Sequence, residues 1–272
     1  MHAWIDGRLL TDPTEPVFPV NDHGVIVGDG IFETLKVVDG HPFALDRHLA
    51  RLAASARGLG LPTPDEQALR RGVAEVLGVE RVPLARLRIT LTSGAGPFGS
   101  ARGPQPPTMV VATEAVAPTA TTTSVVTVPW RRNEFGALRG LKTTSYAENV
   151  LALAEARRRG ATEAILGNTQ GQLCEGTGSN IFYVLDGELC TPTLDSGCLA
   201  GITRALVLEW YGGREVDAPL TEVAAGASEA FLVSTLRDVQ AITRWDERVL
   251  PHGLVTVEAR RAWRRHEPSL TG

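Results

Sequence analysis

Apolar residues recur along this chain with two periods, and the changes between them mark its elements. Residues 3–10 read as a strand with a turn at Asp6-Gly7. Gly30 to Val38 is a β-rich run closed by Asp39-Gly40, a hairpin signal leading into His41–Leu45. Leu45, Leu49, Leu52, Ala56 and Leu59 then repeat at helical spacing, and Gly58 and Gly60 end that helix. A second helix covers 65–78. In the run 86–92, Leu87, Ile89 and Leu91 share one face while Arg86, Arg88, Thr90 and Thr92 share the other. That alternation predicts a strand whose polar face lines something. Met109–Thr113 is a further strand.

The pattern restarts with a strand at 124–129 and a helix at 146–159 that ends at Gly160. Strands follow at 162–167, 172–175 and 180–185, the last closed by a hairpin signal at Asp186-Gly187. A helix at 202–211 opens on Gly201, Glu229–Thr235 is a strand, and the last helix spans 253–265. The small, polar stretch 114–124 breaks the pattern and reads as a linker. The expected class is α+β, with antiparallel pairings prominent. Two α/β domains are expected: a smaller one over 1–115, a linker at 116–124, and a larger one over 125–272 that carries Lys142.

Composition narrows the function more than the fold. With 43% apolar and 21% charged residues, the chain is ordinary globular material. A net charge of −4 gives no electrostatic case for nucleic acid or an anionic membrane. The arginine clusters at 157–159 and 260–265 lie near helix C-termini, where positive charge favours the helix dipole. No segment approaches about 18 apolar residues, so no membrane span is expected. Cys174, Cys190 and Cys198 form no CxxC and have no histidine at metal-ligand spacing. Buried thiols in a reducing cytoplasm and no metal site are the expectation. Gly94-x-Gly96-x-x-Gly99 matches a dinucleotide fingerprint, but the proline-rich residues after it cannot open the helix that fingerprint needs.

The basic residues hold the chemical clue. Only two of the 27 are lysines, Lys36 and Lys142. Arginine serves as a solvated cation but cannot lose its proton and attack a carbonyl, so a lysine kept among arginines invites a role. Lys142 lies between a loop and a helix, where a primary amine can form a Schiff base with an aldehyde. Lys36 lies four residues after Phe32, about 13 Å along the strand, and is expected to be solvated near the Asp39-Gly40 turn. Glu175, between an apolar strand and a Gly-rich turn, can keep a heteroaromatic nitrogen protonated. Gly201-Ile202-Thr203-Arg204 opens a helix whose free N–H groups suit a phosphate. Arg51 adds a cation for the same anion. An aldehyde acceptor, a pyridinium partner and a phosphate cup together describe pyridoxal 5′-phosphate. Each feature alone also has a plain reading: a solvated lysine, a turn glutamate, a helix cap, or an arginine paired near Arg47 and Asp46.

In order along the chain stand Asp22-His23-Gly24, Gly28-Asp29-Gly30-Ile31-Phe32-Glu33, His48-Leu49-Ala50-Arg51-Leu52, Leu141-Lys142 and Glu163-Ala164-Ile165-Leu166. Glu175-Gly176-Thr177-Gly178-Ser179-Asn180-Ile181-Phe182, Gly201-Ile202-Thr203-Arg204 and Ser234-Thr235 complete the series. From Trp4 to about residue 250 the chain resembles the fold-type IV pyridoxal-phosphate enzymes. These include D-amino-acid and branched-chain aminotransferases and 4-amino-4-deoxychorismate lyases. The resemblance implies that Lys142 carries the cofactor and shuttles the substrate proton, and that Glu175 bonds the pyridine nitrogen. It implies that Arg51, Ile202, Thr203 and Thr235 hold the phosphate. Ser179, Asn180, Gly201, Ser234 and Tyr146 are further implied cofactor contacts. The resemblance further implies Phe32 as a wall of the substrate pocket and a homodimer that completes the site.

The family's members differ in how they hold a substrate carboxylate. The Arg-x-His pair of D-amino-acid aminotransferases corresponds here to Phe98 and Ser100, so that trap is missing. Arg88, with Thr90 on the same strand face, or Arg102 further along the loop, is the expected replacement. A solvated strand-edge arginine is the equal alternative. The first expectation is a transaminase acting on a D-amino acid or related primary amine with a 2-oxo acid. The alternatives are 4-amino-4-deoxychorismate lyase, a branched-chain L-amino-acid aminotransferase and a non-enzymatic cofactor-binding or interaction protein.

Overall fold

A computed structural model describes residues 1–271, and they form two compact units. The N-terminal unit contains Met1–Pro118, Leu141–Tyr146 and the C-terminal residues from Ser269. The other unit contains Thr119–Gly140 and Ala147–Pro268.

The sheet of the N-terminal unit comprises β1 (His2–Ile5), β2 (Arg8–Leu9), β3 (Gly30–Val38), β4 (His41–Pro42), β5 (Leu84–Thr92) and β6 (Thr108–Ala115). Its order is β2-β1-β6-β5-β3-β4, with every pair antiparallel. Three helices accompany it: α1 (His23–Ile26), α2 (Leu45–Leu59) and α3 (Glu66–Val79). Strand parity decides which residues meet α2 and α3. Ile31, Leu35, Leu87, Ile89 and Leu91 pack with Leu49, Leu52, Leu69 and Val73 into one core. Phe32, Thr34 and Lys36 pair in register with Thr90, Arg88 and Arg86 of β5. The polar face read from the sequence is therefore the face away from that core.

β4 is only two residues long, so the N-terminal half of β3, paired with β5 on one edge, lacks a named strand on the other. The segment at Lys142 takes that place. Ile31 bridges Thr143, Phe32 N–H donates to Lys142 O at 2.9 Å, and Thr144 N–H donates to Gly30 O at 2.8 Å. Gly30 makes the approach possible. A Cβ there would lie 2.8 Å from Leu91 O and 3.0 Å from Thr144 Oγ1.

The C-terminal unit holds a nine-stranded sheet. Its strands are β7 (Thr122–Arg132), β8 (Glu163–Asn168), β9 (Leu173–Gly176), β10 (Asn180–Leu185), β11 (Glu188–Thr191), β12 (Arg214–Glu215), β13 (Glu229–Ser234), β14 (Asp238–Trp245) and β15 (Arg248–Val249). The order is β12-β11-β10-β13-β14-β7-β8-β9, with β15 on β14. β7 is parallel to both β14 and β8. Four helices complete the unit: α4 (Ala147–Arg158), α5 (Ile202–Trp210), α6 (Leu220–Gly226) and α7 (Leu254–His266). Ile165, Ile181, Leu232, Ile242 and Trp245 belong to its main apolar core. Among the described residues, no helix is long and apolar enough to cross a membrane.

Three expectations change here. The stretch expected as a linker at 116–124 is divided, because Thr122 already begins β7 and bridges Ala241. Lys142, expected in the C-terminal domain, packs in the N-terminal unit through its pairing with β3. Lys36, expected to be solvated, is 4% exposed, with Nζ 5.6 Å from the Phe43 ring centroid. The turn at Asp39-Gly40 is near in sequence, but the Phe43 ring after it stands beside the ammonium end. The Gly94–Gly99 motif forms a loop with no helix at its end.

Candidate active site

In the N-terminal unit, Lys142 is held by its backbone on two sides. Ser55 Oγ, on α2, accepts from its N–H at 3.2 Å, and its carbonyl accepts from Phe32. Fixing both peptide groups leaves the side chain as the adjustable part. Nζ lies 4.3 Å from the Phe32 ring centroid and 5.9 Å from that of Tyr146. Tyr146 meets Phe32 edge to face, with centroids 5.3 Å apart. Arg88 Cζ is 3.8 Å from the same Phe32 centroid, and its Nε donates to Thr90 Oγ1 at 3.1 Å. Desolvation against these neighbours lowers the proton affinity of Arg88, and Tyr146 works against that shift. Phe32, Arg88, Thr90, Lys142 and Tyr146 thus form one cluster on the β3–β5 face.

Arg51 reaches the opposite face of β3. Its Nε and Nη2 donate to Glu33 Oε1 and Oε2, each at 2.7 Å. The sequence offered Asp46 as a partner, but Asp46 accepts from Arg70 at 2.6 Å. Glu33 is fully buried and also accepts from His48 Nδ1 at 2.7 Å. Burial would raise the Glu33 carboxyl, but Arg51 and the His48 bond bring it down to about 2. Burial also lowers His48, against the pull of Glu33.

Arg102 is not placed to receive a substrate. Its Nε and Nη2 clamp Asp29, both at 2.7 Å, while Nη1 and Nη2 reach Gly60 O and Leu59 O at 2.8 Å. It ties the loop to the end of α2, satisfying carbonyls that a helix terminus leaves open. The bonds from Arg102 hold Asp29 below the usual carboxylate range. Phe98, on the same loop, is 79% exposed. A separate cavity of about 940 Å³ in this unit is lined by Trp4, Asp6, Arg71 and a run of prolines, and by none of the cluster around Lys142.

In the C-terminal unit, Glu175 projects from β9. Its Oε2 accepts from Leu199 N–H at 3.0 Å and its Oε1 from Arg132 Nε at 3.2 Å. Arg132 also donates to Asn149 Oδ1 at 3.0 Å, and Asn149 bonds Thr177 O. Asn180 Nδ2 donates to Leu199 O at 2.9 Å, which ties the start of β10 to the segment before α5. No side chain caps α5 at Gly201, and Ile202 and Thr203 are buried in its first turn. A Cβ on Gly201 would lie 1.9 Å from Asn180 Oδ1. Ser234 ends β13, and Thr235 follows it in the turn to β14. Arg132 is the residue that sequence reasoning missed. Its only signal was a strand running on past 129, which would have carried it beside Glu175.

These residues fit pyridoxal phosphate on structural grounds. A nine-residue helix with an uncapped N-terminus presents N–H groups suited to a phosphate. Glu175, its side chain 12% exposed and steadied by Arg132 and Leu199, suits a protonated ring nitrogen. Lys142, its backbone pinned, would supply the amine. Among the described residues, no group of His, Cys, Asp and Glu is arranged to hold a metal ion.

Fold and residues together define a pyridoxal-phosphate enzyme of fold type IV. Residues 30–245 match the sequence model of the family described as amino-transferase class IV, and the chain belongs to that family. It is 32% identical over 259 residues to a Methanocaldococcus jannaschii protein named as a branched-chain-amino-acid aminotransferase, covering 92% of this chain and 90% of that one. It is 29% identical over 285 residues to the bifunctional aminodeoxychorismate lyase / D-amino acid transaminase of Mycobacterium tuberculosis, covering 96% and 92%. A solved aminotransferase of the same organism, in its PLP-bound form, superposes with a TM-score of 0.86 at 26% identity, covering 99% of each chain.

Proposed function

We propose that the protein is a transaminase that moves an amino group between a D-amino acid, or a related primary amine, and a 2-oxo acid. The observation that carries this reading is the contact of Lys142 Nζ and Arg88 with one Phe32 ring. It sets a cation for a substrate carboxylate one ring away from the amine that does the chemistry. Arg88 makes one described hydrogen bond, from Nε, so its terminal groups can take a carboxylate in a bidentate pair. Phe32 and Tyr146 wall the substrate, and Lys142 Nζ takes and returns the proton at the substrate α-carbon. Glu175 would accept from the ring nitrogen, and the α5 terminus with Thr203 and Thr235 would hold the phosphate; Arg51, expected on the same anion, is engaged by Glu33. The bound cofactor supplies the electron sink for the pair left at the α-carbon. The reading includes a homodimer and a cytoplasmic location, the latter supported by three unpaired, buried cysteines.

The lyase reading uses the same Lys142 proton abstraction and is favoured by the bifunctional relative. D-Alanine with 2-oxoglutarate tests the choice. The transaminase yields pyruvate and glutamate, and Arg88→Ala raises KM for D-alanine on the order of 10- to 100-fold. A primary amine without a carboxylate keeps its rate in the same variant. Pyruvate release from aminodeoxychorismate, with no half-reaction on any amine, reverses the assignment.

A further inference from the structure

Glu163 is a buried carboxylate that the reading above leaves without a task. It opens β8, is 2% exposed, and lies where three parts of the C-terminal unit meet. Its Oε1 accepts from the Ala164 and Thr177 N–H groups at 3.0 and 3.1 Å and from the Thr177 hydroxyl. Its Oε2 accepts from the Ser179 hydroxyl at 3.3 Å and from Arg237 Nη2 at 3.2 Å. Arg237 also donates to Gln240, whose amide donates to Ala120 O at 2.7 Å and Thr122 O at 3.3 Å. The Arg237 N–H donates to Ser234 O at 3.1 Å and closes the turn that carries Thr235. One carboxylate therefore grips, through its two oxygens, the turn after Glu175 and the turn after β13.

We propose that Glu163 is a positioning residue that sets the spacing between Glu175 and the Ser234–Thr235 turn. This rests on the roles given to Glu175 and Thr235 under the proposed function. A rigid ligand held at its ring nitrogen and its phosphate gains from both contacts only when they stand at the ligand's own spacing. The carboxylate form is needed because every neighbour is a donor. A glutamine turns its –NH2 toward either Thr177 or the Ser179–Arg237 pair, and donor then faces donor.

The test is titration of the apo form of the full chain with pyridoxal 5′-phosphate, followed by absorbance, at a temperature where melting curves show each variant folded. Glu163→Gln is expected to raise the Kd on the order of tenfold. Thr177→Val keeps the carboxylate and Arg237, removes one hydroxyl, and is expected to raise the Kd on the order of threefold. If Glu163→Gln does not fold, Thr177→Val decides. Glu175→Gln supplies a double-mutant cycle: Glu163→Gln is expected to cost little in its background, because the contact being positioned is already lost. Unchanged Kd in the folded single variants, or strictly additive losses in the cycle, overturns the proposal. If Glu175→Gln itself leaves both the Kd and the absorbance unchanged, the role of Glu175 falls instead, and with it the premise.

Discussion

Glu33 stays ionised inside the N-terminal unit because two donors of Arg51 and one of His48 surround it. Both titrating partners link stability to pH in the same direction. The lowered His48 contributes stability at pH above its ordinary 6.5 that is lost as pH falls below it, because the unfolded chain then takes up the proton first. Glu33, lowered from 4.5 to about 2, contributes stability above 4.5 that is lost as pH falls toward 2. Urea unfolding of the apo protein is expected to show declining stability below neutrality and a steeper loss below 4.5. Glu33→Gln removes the steeper limb and leaves the Arg51 charge unmatched, at about 3–5 kcal/mol; an unaltered pH curve contradicts this account. At this scale the sequence singled out Lys142 by its chemistry, and the structure sets Phe32, Arg88, Thr90 and Tyr146, all named from the sequence, around it. The sequence was not legible where neighbours decide. Lys36 is buried by Phe43, and Arg102 is engaged by Asp29, through contacts that spacing does not encode.

Elements with a clear period were readable: β3, α2, α3 and the alternating β5 all stand where the pattern placed them. β14 was not, because Asp-Val-Gln-Ala-Ile-Thr-Arg-Trp neither alternates cleanly nor follows an apolar signal. It is a strand because β13 and β7 supply hydrogen-bonding edges on both sides. α6 was also missed, since Leu-Thr-Glu-Val-Ala-Ala-Gly spans too few turns to show a helical stripe. The uncapped end of α5 gives a sharp test at this scale. Gly201→Ala pushes a methyl into Asn180, which must then release Leu199 O. The Kd for pyridoxal phosphate is expected to rise on the order of tenfold, and the apo melting temperature to fall by a few degrees with the lost Asn180 bond. Equal affinity of variant and parent in an absorbance titration rules out the phosphate role of this helix end.

For the whole molecule, α4 bears on assembly. Its buried side holds the small Ala152 and Ala156, while Val150 and Leu151 stand 62% and 61% exposed, with Ala147 and Ala154 on the same side. A helix turned apolar side outward is unusual for an isolated subunit and suits the expected homodimer. Leu151→Glu is expected to shift sedimentation toward a monomer without loss of helix signal in circular dichroism. A variant that sediments like a dimeric parent removes α4 from the proposed interface, and a monomeric parent overturns the homodimer itself.

The six residues Leu141–Tyr146 belong to the N-terminal unit, although the chain on both sides belongs to the other. During synthesis the first 118 residues therefore emerge without the stretch that completes the edge of β3, and Lys142 follows only after β7 has left the ribosome. Lys142 and its seat are joined late, by a non-local pairing of the kind that folds slowly. A gene cut after Pro118 yields a fragment with Phe32, Arg88 and Arg51 but without Lys142, so the proposed chemistry could not be passed on by shuffling that domain alone.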